Sequence, residues 1–171
     1  EMLQLAGTFE GPFITKHNQG GKGLGIRLFD TAAELQLYVE SDDYDEGPNG
    51  QVILQEYILS PEPFITRAEF VGGKFLFAMR SNTEAGFMLC PGDSCQATVT
   101  PADICPAGGP GTKFQPSPVT ADDEVIRKLE LLCQREGLEQ AGIEFIEDQD
   151  GRVYVYDING TTNYNNAFGS K

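Results

Sequence analysis

Three oxygen-bearing side chains near the C-terminus have the spacing of a metal site. Asp157 and Asn159 lie two residues apart in the run 154–160, and a β-strand directs such residues to the same face. Residues 148–151 have the composition of a tight turn, which would place Glu144 opposite them on the partner strand of a hairpin. Carboxylate and amide oxygens are ligands that suit Mg²⁺. The pattern therefore predicts a magnesium site at the end of a C-terminal hairpin.

A lysine and a glycine-rich loop near the N-terminus would complete a site for a metal-bound polyphosphate. Lys16 ends a short apolar run, and the loop after it carries Gly20, Gly21, Lys22, Gly23 and Gly25. Between two antiparallel strands, such a loop can act as a flap whose backbone N–H groups close over phosphates. The strand–loop–helix order and the spacing of a P-loop are absent, and so is the Rossmann glycine fingerprint.

The elements that must position these residues follow from periodicity and turn signals. A capping box at residues 31–34 begins a helix that runs to about Ser41, and either Asp122 or Asp123 is expected to cap another. Arg67 and Glu69 share one face of a hairpin. The predicted strands are 12–16, 26–29, 52–58, 64–71 and 74–80, followed by a helix at 124–136 and the final hairpin of 142–148 with 154–160.

Composition narrows the function classes. The chain has 171 residues, 40% of them hydrophobic, which suffices for one domain or two small lobes. The net charge of −14 argues against a nucleic-acid partner and makes the few lysines and arginines near the glycine loop and the strands candidates for binding an anion. No apolar run reaches the ~18 residues of a membrane span, and the first residues lack the order of a secretory signal. We therefore expect a cytoplasmic protein without a membrane partner.

The cysteines and the single histidine favour neither zinc nor a cysteine nucleophile. Cys90, Cys95, Cys105 and Cys133 form no CxxC pair, and His17 is remote from them in sequence. A catalytic cysteine needs a base, and His17 is the only imidazole. We expect free thiols.

Four segments together resemble the ATP-grasp ligases, and within them the ribosomal-protein-modifying and lysine-biosynthetic α-L-glutamate ligases. They are residues 13–16 with the glycine loop, residues 55–58, Arg67 with the 70–74 hairpin, and the C-terminal hairpin. Their order and spacing make the resemblance specific, and it spans most of the chain.

The resemblance implies an α+β fold with two antiparallel-sheet lobes and a nucleotide cleft between them. The N-terminal lobe would be residues 1–58 with the phosphate loop. The C-terminal lobe would be residues 59–171, with the metal site and an irregular insert at about 82–120. Relative to this family, we expect an upstream domain and an upstream phosphate lysine to be missing from the chain.

The resemblance also implies residue roles. Lys16 would hold the α- and β-phosphates, under a flexible cover formed by Gly20, Gly21, Lys22, Gly23 and Gly25. The hinge that binds adenine would be Gln55, Glu56, Tyr57 and Ile58, and Glu62 would bind the ribose. Arg67 and Arg80 would face the γ-phosphate and the carboxylate being activated, and Asn163 or Asn165 would lie near the acyl phosphate. The metal ligands would be Glu144, Asp157 and Asn159.

The implied activity is ATP-dependent ligation of a carboxylate to an amine through an acyl phosphate. It would use ATP with one or two Mg²⁺ ions, for which Mn²⁺ could substitute, and an amino acid, a peptide or a protein tail as acceptor. A homo-oligomer is compatible with the resemblance. The chain departs from the family at His17, where proline is common, and at Asp157, where glutamate is common. Two alternatives stay open: a nucleotide-binding domain without ligase activity, and an interaction domain, which predicts no Mg²⁺-dependent nucleotide binding.

Overall fold

The computed structural model describes residues 2–19, 25–84 and 114–160. The chain divides into two compact units at the step from Ile58 to Leu59. Unit 1 comprises the described residues up to Ile58, and unit 2 comprises those from Leu59 onward. Both contain antiparallel sheets with helices, so the predicted α+β class is confirmed.

Unit 1 packs two helices against one face of a three-stranded antiparallel sheet of order β2-β1-β3. Its core contains Phe13, whose ring stacks on Phe29 at 5.8 Å between centroids, together with Ala6 and Leu35. Because Phe13 faces the helices, the alternate residues of the same strand face away from them. The elements are α1 (Met2–Ala6), β1 (Phe13–His17), β2 (Arg27–Phe29), α2 (Ala32–Val39) and β3 (Val52–Glu56).

Helix α2 begins at the predicted capping box. The Thr31 side chain accepts a hydrogen bond from the Glu34 N–H at 3.3 Å, which satisfies one of the free donors of the first turn. The Glu34 carboxylate accepts in return from the N–H of Asp30 at 2.9 Å, one residue before the cap. This local exchange explains why the helix begins where it does.

Removing the Thr31 hydroxyl tests the cap. In Thr31→Ala we expect the free energy of unfolding to fall by about 1 kcal/mol, because the Glu34 N–H loses its acceptor. Urea denaturation followed by circular dichroism would measure it. Thr31→Ser keeps the acceptor oxygen and should stay near wild type, whereas an alanine variant as stable as wild type would contradict the role of the cap.

Unit 2 is a five-stranded antiparallel sheet of order β6-β5-β4-β7-β8 with one helix on one face. Ala68, Phe70, Ile143 and Phe145 pack against helix residues that include Ile126. The elements are β4 (Phe64–Val71), β5 (Lys74–Asn82), β6 (Phe114–Pro116), α3 (Glu124–Glu136), β7 (Gln140–Glu147) and β8 (Val153–Asn159). The insert predicted at about 82–120 thus includes a short strand, and its residues 85–113 lie outside the described part.

Helix α3 has the predicted bounds but a different cap. Asp123 occupies the N-cap position, yet its side chain makes no cap hydrogen bond to the helix. Its carboxylate instead accepts from the N–H and the hydroxyl of Thr120, and these two bonds lower the pKa of Asp123. The helix ends at Gly137, whose φ of 65° is left-handed and suits glycine.

A β-bulge in the final hairpin changes which side chains face inward. Glu144 pairs with Asp157, but the next pair is Phe145 with Val155, so Tyr156 is an extra residue on β8. Tyr156 and Asp157 are therefore both half-buried although they are neighbours in sequence. Ile158, on the same edge strand, is exposed.

Two further expectations concern membranes and thiols. None of the described helices is long and apolar enough to span a bilayer. Cys133 is a free, buried thiol in α3, and burial raises its pKa. The other three cysteines lie outside the described residues.

Candidate functional site

The face of the unit 2 sheet that points away from α3 carries a cluster of charged side chains. Since Ala68 and Phe70 face the helix, Arg67 and Glu69 point to the opposite side of β4. The strand register then places Arg67 beside Glu144 on β7, and Glu144 beside Asp157 on β8. The structure thus brings predicted site residues from three strands together.

Arg67 lies between two carboxylates. Its Nε donates to Glu69 Oε1 at 2.7 Å, and its Nη1 donates to Glu144 Oε1 at 2.8 Å. The side chains of Glu69 and Glu144 are only 1% and 9% exposed. Burial alone would lower the pKa of Arg67, but the hydrogen bonds and charges of Glu69 and Glu144 outweigh it and raise that pKa. The guanidinium is a permanent cation in a mostly buried, acidic environment.

Gly142 makes room for this guanidinium. It lies next to Glu144 on the same face of β7 and pairs with Glu69 on β4. A Cβ atom built there would lie 2.6 Å from Arg67 Cζ and would overlap its Nη2. The sequence offers no local signal for this role, because the requirement comes from a side chain 75 positions earlier in the chain.

Asp157 and Asn159 point to the same side of β8, as predicted from their spacing. The Asn159 Nδ2 donates to Asp157 Oδ2 at 2.8 Å, which leaves the amide oxygen of Asn159 as a ligand atom. Next to them, the Tyr156 hydroxyl is buried and has no hydrogen-bond partner among the described residues. Burial, and then the negative charge of Glu144, raises the pKa of Tyr156. Its phenol therefore stays protonated at neutral pH.

The donor set of this face suits a divalent cation. Glu69, Glu144 and Asp157 carry three negative charges and Arg67 carries one positive charge, so two negative charges remain. Glu69 Oε2 is a further carboxylate oxygen that is buried without a partner among the described residues. In the described part of the chain, no three His, Cys, Asp or Glu residues form a metal-binding group. A site here would combine two carboxylates, Glu144 and Asp157, with the amide of Asn159.

Arg80 and Glu62 are placed elsewhere. Arg80 pairs with Thr66 on β4, so it lies on the sheet face opposite to that of Arg67. Its Nη1 donates to Glu62 Oε2 at 2.9 Å, and its guanidinium lies 5.7 Å from the centroid of the Phe64 ring. The predicted ribose acid and the second predicted phosphate cation are thus partners of each other in this structure.

In unit 1, the structure places Lys16 and Gln55 on one sheet face. Lys16 pairs with Ile53, and Gln55 pairs with Ile14, so both project from the side that faces away from the helices. Glu56, the last residue of β3, is exposed. The N–H of Tyr57 donates to the carbonyl of Pro12 at 3.0 Å, so this hinge donor already has a partner within the chain.

Gly25 is the one glycine of the predicted phosphate loop that the structure describes. Its φ of 73° is left-handed, and a Cβ built there would overlap the imidazole of His17. His17 Nε2 lies 3.4 Å from Asp45 Oδ2. The other loop residues, Gly20, Gly21, Lys22 and Gly23, lie outside the described residues, as do Asn163 and Asn165.

Comparison with solved structures identifies the fold. The ATP-grasp ligase PsnB, complexed with a precursor variant, Mg and ADP, is 16% identical with a TM-score of 0.54, over 94% of this chain and 42% of that chain. The chain has the ATP-grasp fold. D-cycloserine synthetase DcsG is similar to it at 17% identity and a TM-score of 0.61, over 92% of this chain and 50% of that chain.

A third structure with the same arrangement is a biotin carboxylase domain. That domain, from the 2-oxoglutarate carboxylase of Hydrogenobacter thermophilus in complex with MgADP and bicarbonate, is 19% identical with a TM-score of 0.62, over 97% of this chain and 34% of that chain. The chain thus spans half or less of the length of each of these three structures. No protein-family model and no curated protein matches its sequence.

Proposed function

We propose that this chain is the ATP-binding part of an ATP-dependent carboxylate–amine ligase. The observation that carries the proposal is the sheet face on which Arg67 lies between two buried carboxylates, beside Asp157 and Asn159, within an ATP-grasp fold. Arg67 can bind phosphate oxygens, and the surplus of negative charge around it can bind the metal ion, so this face suits a metal-bound polyphosphate.

Glu144, Asp157 and Asn159 are the residues that would hold Mg²⁺. Their oxygen atoms are ligands of the kind Mg²⁺ prefers, and the bulge at Tyr156 keeps Asp157 on the same side as Glu144. When bound, Mg²⁺ neutralises phosphate charge and orients the triphosphate. One ion suffices for the two negative charges counted on this face. A second ion, or Mn²⁺ in place of Mg²⁺, is compatible with the same oxygen donors.

The remaining predicted residues bind the nucleotide itself. Lys16 would neutralise the α- and β-phosphates, covered by Gly20, Gly21, Lys22, Gly23 and Gly25. Hinge groups of Gln55, Glu56, Tyr57 and Ile58 would bind adenine. Because the Tyr57 N–H already donates to Pro12, we assign the adenine-binding backbone groups to its neighbours. Glu62 would hold the ribose, and Asn163 would lie near the acyl phosphate.

The reaction needs no side-chain nucleophile. A carboxylate oxygen of the substrate attacks the γ-phosphorus of ATP, and the bond to the β-phosphate oxygen breaks to release ADP. An amine nitrogen then attacks the acyl carbon, inorganic phosphate leaves, and a proton is lost from the new amide. The guanidinium of Arg67 would stabilise the negative charge of the transferring phosphoryl group. Arg80, which the sequence suggested for the carboxylate, lies on the opposite sheet face and pairs with Glu62, so we assign it no part in this step.

The substrate class rests on the resemblance and on the neighbouring structures. PsnB binds a precursor peptide, and the biotin carboxylase domain binds bicarbonate. We propose a glutamate-ligase-like enzyme that joins a carboxylate to an amino acid, a peptide or a protein tail in the cytoplasm. The net charge of −14 disfavours a nucleic-acid acceptor. A homo-oligomer is compatible, since the biotin carboxylase neighbour is a dimer.

Calorimetric titration with a non-hydrolysable ATP analogue, with and without Mg²⁺, tests the proposal. We expect Mg²⁺-dependent binding that Asp157→Asn weakens by about 100-fold, because the ion loses a charged ligand while the shape of the side chain is kept. Asp150→Asn, in the exposed turn of the same hairpin, is the matched control and should bind like wild type. Binding that ignores both Mg²⁺ and Asp157 would refute the site, and no binding at all would favour an interaction domain.

A further inference from the structure

The geometry points to Arg67 as a resident counter-ion of the metal site, which Glu144 exchanges for the divalent cation, with Glu69 as the positioning residue that retains Arg67 during the exchange. This inference rests on the proposed function and adds a regulatory step to it. Metal binding and the release of an arginine for phosphate binding become one coupled event.

Arg67 and the divalent ion would share one carboxylate, that of Glu144. Glu144 Oε1 accepts from Arg67 Nη1 at 2.8 Å, and Glu144 is also a proposed metal ligand. A guanidinium and a divalent ion on the same carboxylate repel each other strongly where water is largely excluded. Glu144 therefore binds the ion at the expense of its bond to Arg67.

Glu69 keeps Arg67 on the sheet face when Glu144 binds the ion. Glu69 holds a different nitrogen, Nε, at 2.7 Å, and this bond does not involve Glu144. Glu69 is 1% exposed, and its Oε2 is buried with no partner among the described residues. The guanidinium already lies beside Gly142, and the unpartnered Oε2 of Glu69 offers it a second acceptor once Nη1 leaves Glu144. Arg67 thus stays on the sheet face with Nη1 free to donate to an anionic phosphate oxygen.

The exchange has a signature that a purely structural ion pair lacks. If the ion pair of Arg67 with Glu144 were purely structural, loss of Arg67 would disorder the site and weaken metal binding. A resident counter-ion predicts the opposite, because its loss removes a competitor. In Arg67→Met we expect Mn²⁺, in the absence of nucleotide, to bind about tenfold more tightly than in wild type. In Glu69→Gln we expect about fivefold weaker binding, because Arg67 then has Glu144 as its only charged partner.

A double variant separates competition from net charge. Arg67→Met/Glu69→Gln removes one positive and one negative charge, so the face keeps two net negative charges. It also removes the Glu69 carboxylate, so that Glu144 is the one buried carboxylate of the cluster that loses its arginine, which limits the loss of stability. If Arg67 competes for Glu144, this variant binds Mn²⁺ at least about threefold more tightly than wild type despite its equal charge. Equal or weaker binding by the folded double variant overturns the exchange.

The titration follows free Mn²⁺ by electron paramagnetic resonance, with the 171-residue chain and its variants. Asp157→Asn identifies the part of the isotherm that belongs to this site, and circular dichroism confirms folding. Arg127→Met on the exposed face of α3 and Glu136→Gln at its end carry the same charge changes and should leave the isotherm unchanged.

The outcomes distinguish this inference from the proposed function. If wild type binds Mn²⁺ through Asp157 and the double variant binds more tightly, the exchange is supported. If wild type binds through Asp157 and the double variant does not bind more tightly, the exchange is wrong and the metal site stands. If no Asp157-dependent binding occurs in any protein, with or without ADP, the metal site and the exchange both fail.

Discussion

Gly142→Ala is expected to disconnect Arg67 from both of its carboxylates. The added methyl group would overlap the guanidinium, and it would lie on the backbone of the interior strand β7, which is paired on both sides and cannot easily move aside. With Arg67 expelled, Glu69 and Glu144 become buried charges without a partner. We expect the free energy of unfolding to fall by about 3–5 kcal/mol, the usual cost of removing one partner from a buried ion pair.

Urea denaturation with Gly11→Ala as control would measure this effect. A Cβ at position 11 has no atom within 4 Å, so that variant should stay close to wild type. The same protein would also show weaker nucleotide binding if Arg67 binds phosphate. A Gly142→Ala protein with wild-type stability would mean that Arg67 can leave without cost, and it would contradict the account of this face as a tightly coupled cluster.

Phe70→Ala is expected to destabilise the scaffold under the same strand. Phe70 is fully buried in the core between the sheet and α3, and its ring packs edge-on against Phe75 at 6.0 Å between centroids. Truncation removes buried apolar surface and leaves a cavity. We therefore expect the free energy of unfolding to fall by about 3–5 kcal/mol. Because Glu69 precedes Phe70 on β4, we expect the charged face to loosen with the core.

Hydrogen exchange of the β4 and β7 amides, read beside urea denaturation, would check both effects. Val71→Ala is the matched control, since Val71 is the next residue and is 48% exposed. Truncation of the Val71 side chain should lower the free energy of unfolding by less than about 1 kcal/mol. If Phe70→Ala were no more harmful than Val71→Ala, the core would not be what orders this strand.

Elements with local signals could be predicted from the sequence. The apolar stripe of α3 indicated the bounds Glu124–Glu136, and Thr31 with Glu34 indicated the start of α2. Local hydrogen bonds and a 3.6-residue period decide such features, and both can be seen in a short window of sequence. The cap of α3 was harder, because Asp123 had a competing partner in Thr120.

The grouping of the site was only partly predictable. The spacing of Asp157 and Asn159 correctly indicated that they share a face, as the hydrogen bond between them shows. The sequence also placed Arg67 and Glu69 on one side of β4, but it assigned no role to Glu69. The sequence assigned Arg67 and Arg80 to the same reacting groups, whereas the register puts them on opposite faces. The metal and nucleotide roles of all these residues remain predictions.

By itself, the sequence determined the α+β class, the order of the elements and the side-chain types available for phosphate and metal chemistry. Those properties depend on residues close together in the chain. Only the tertiary structure decided that Arg67 lies between Glu69 and Glu144, that Gly142 leaves room for it, and that the bulge at Tyr156 turns Asp157 toward them. The physical reason is that strand register joins residues far apart in sequence, and one extra residue in a strand reverses which face each side chain occupies.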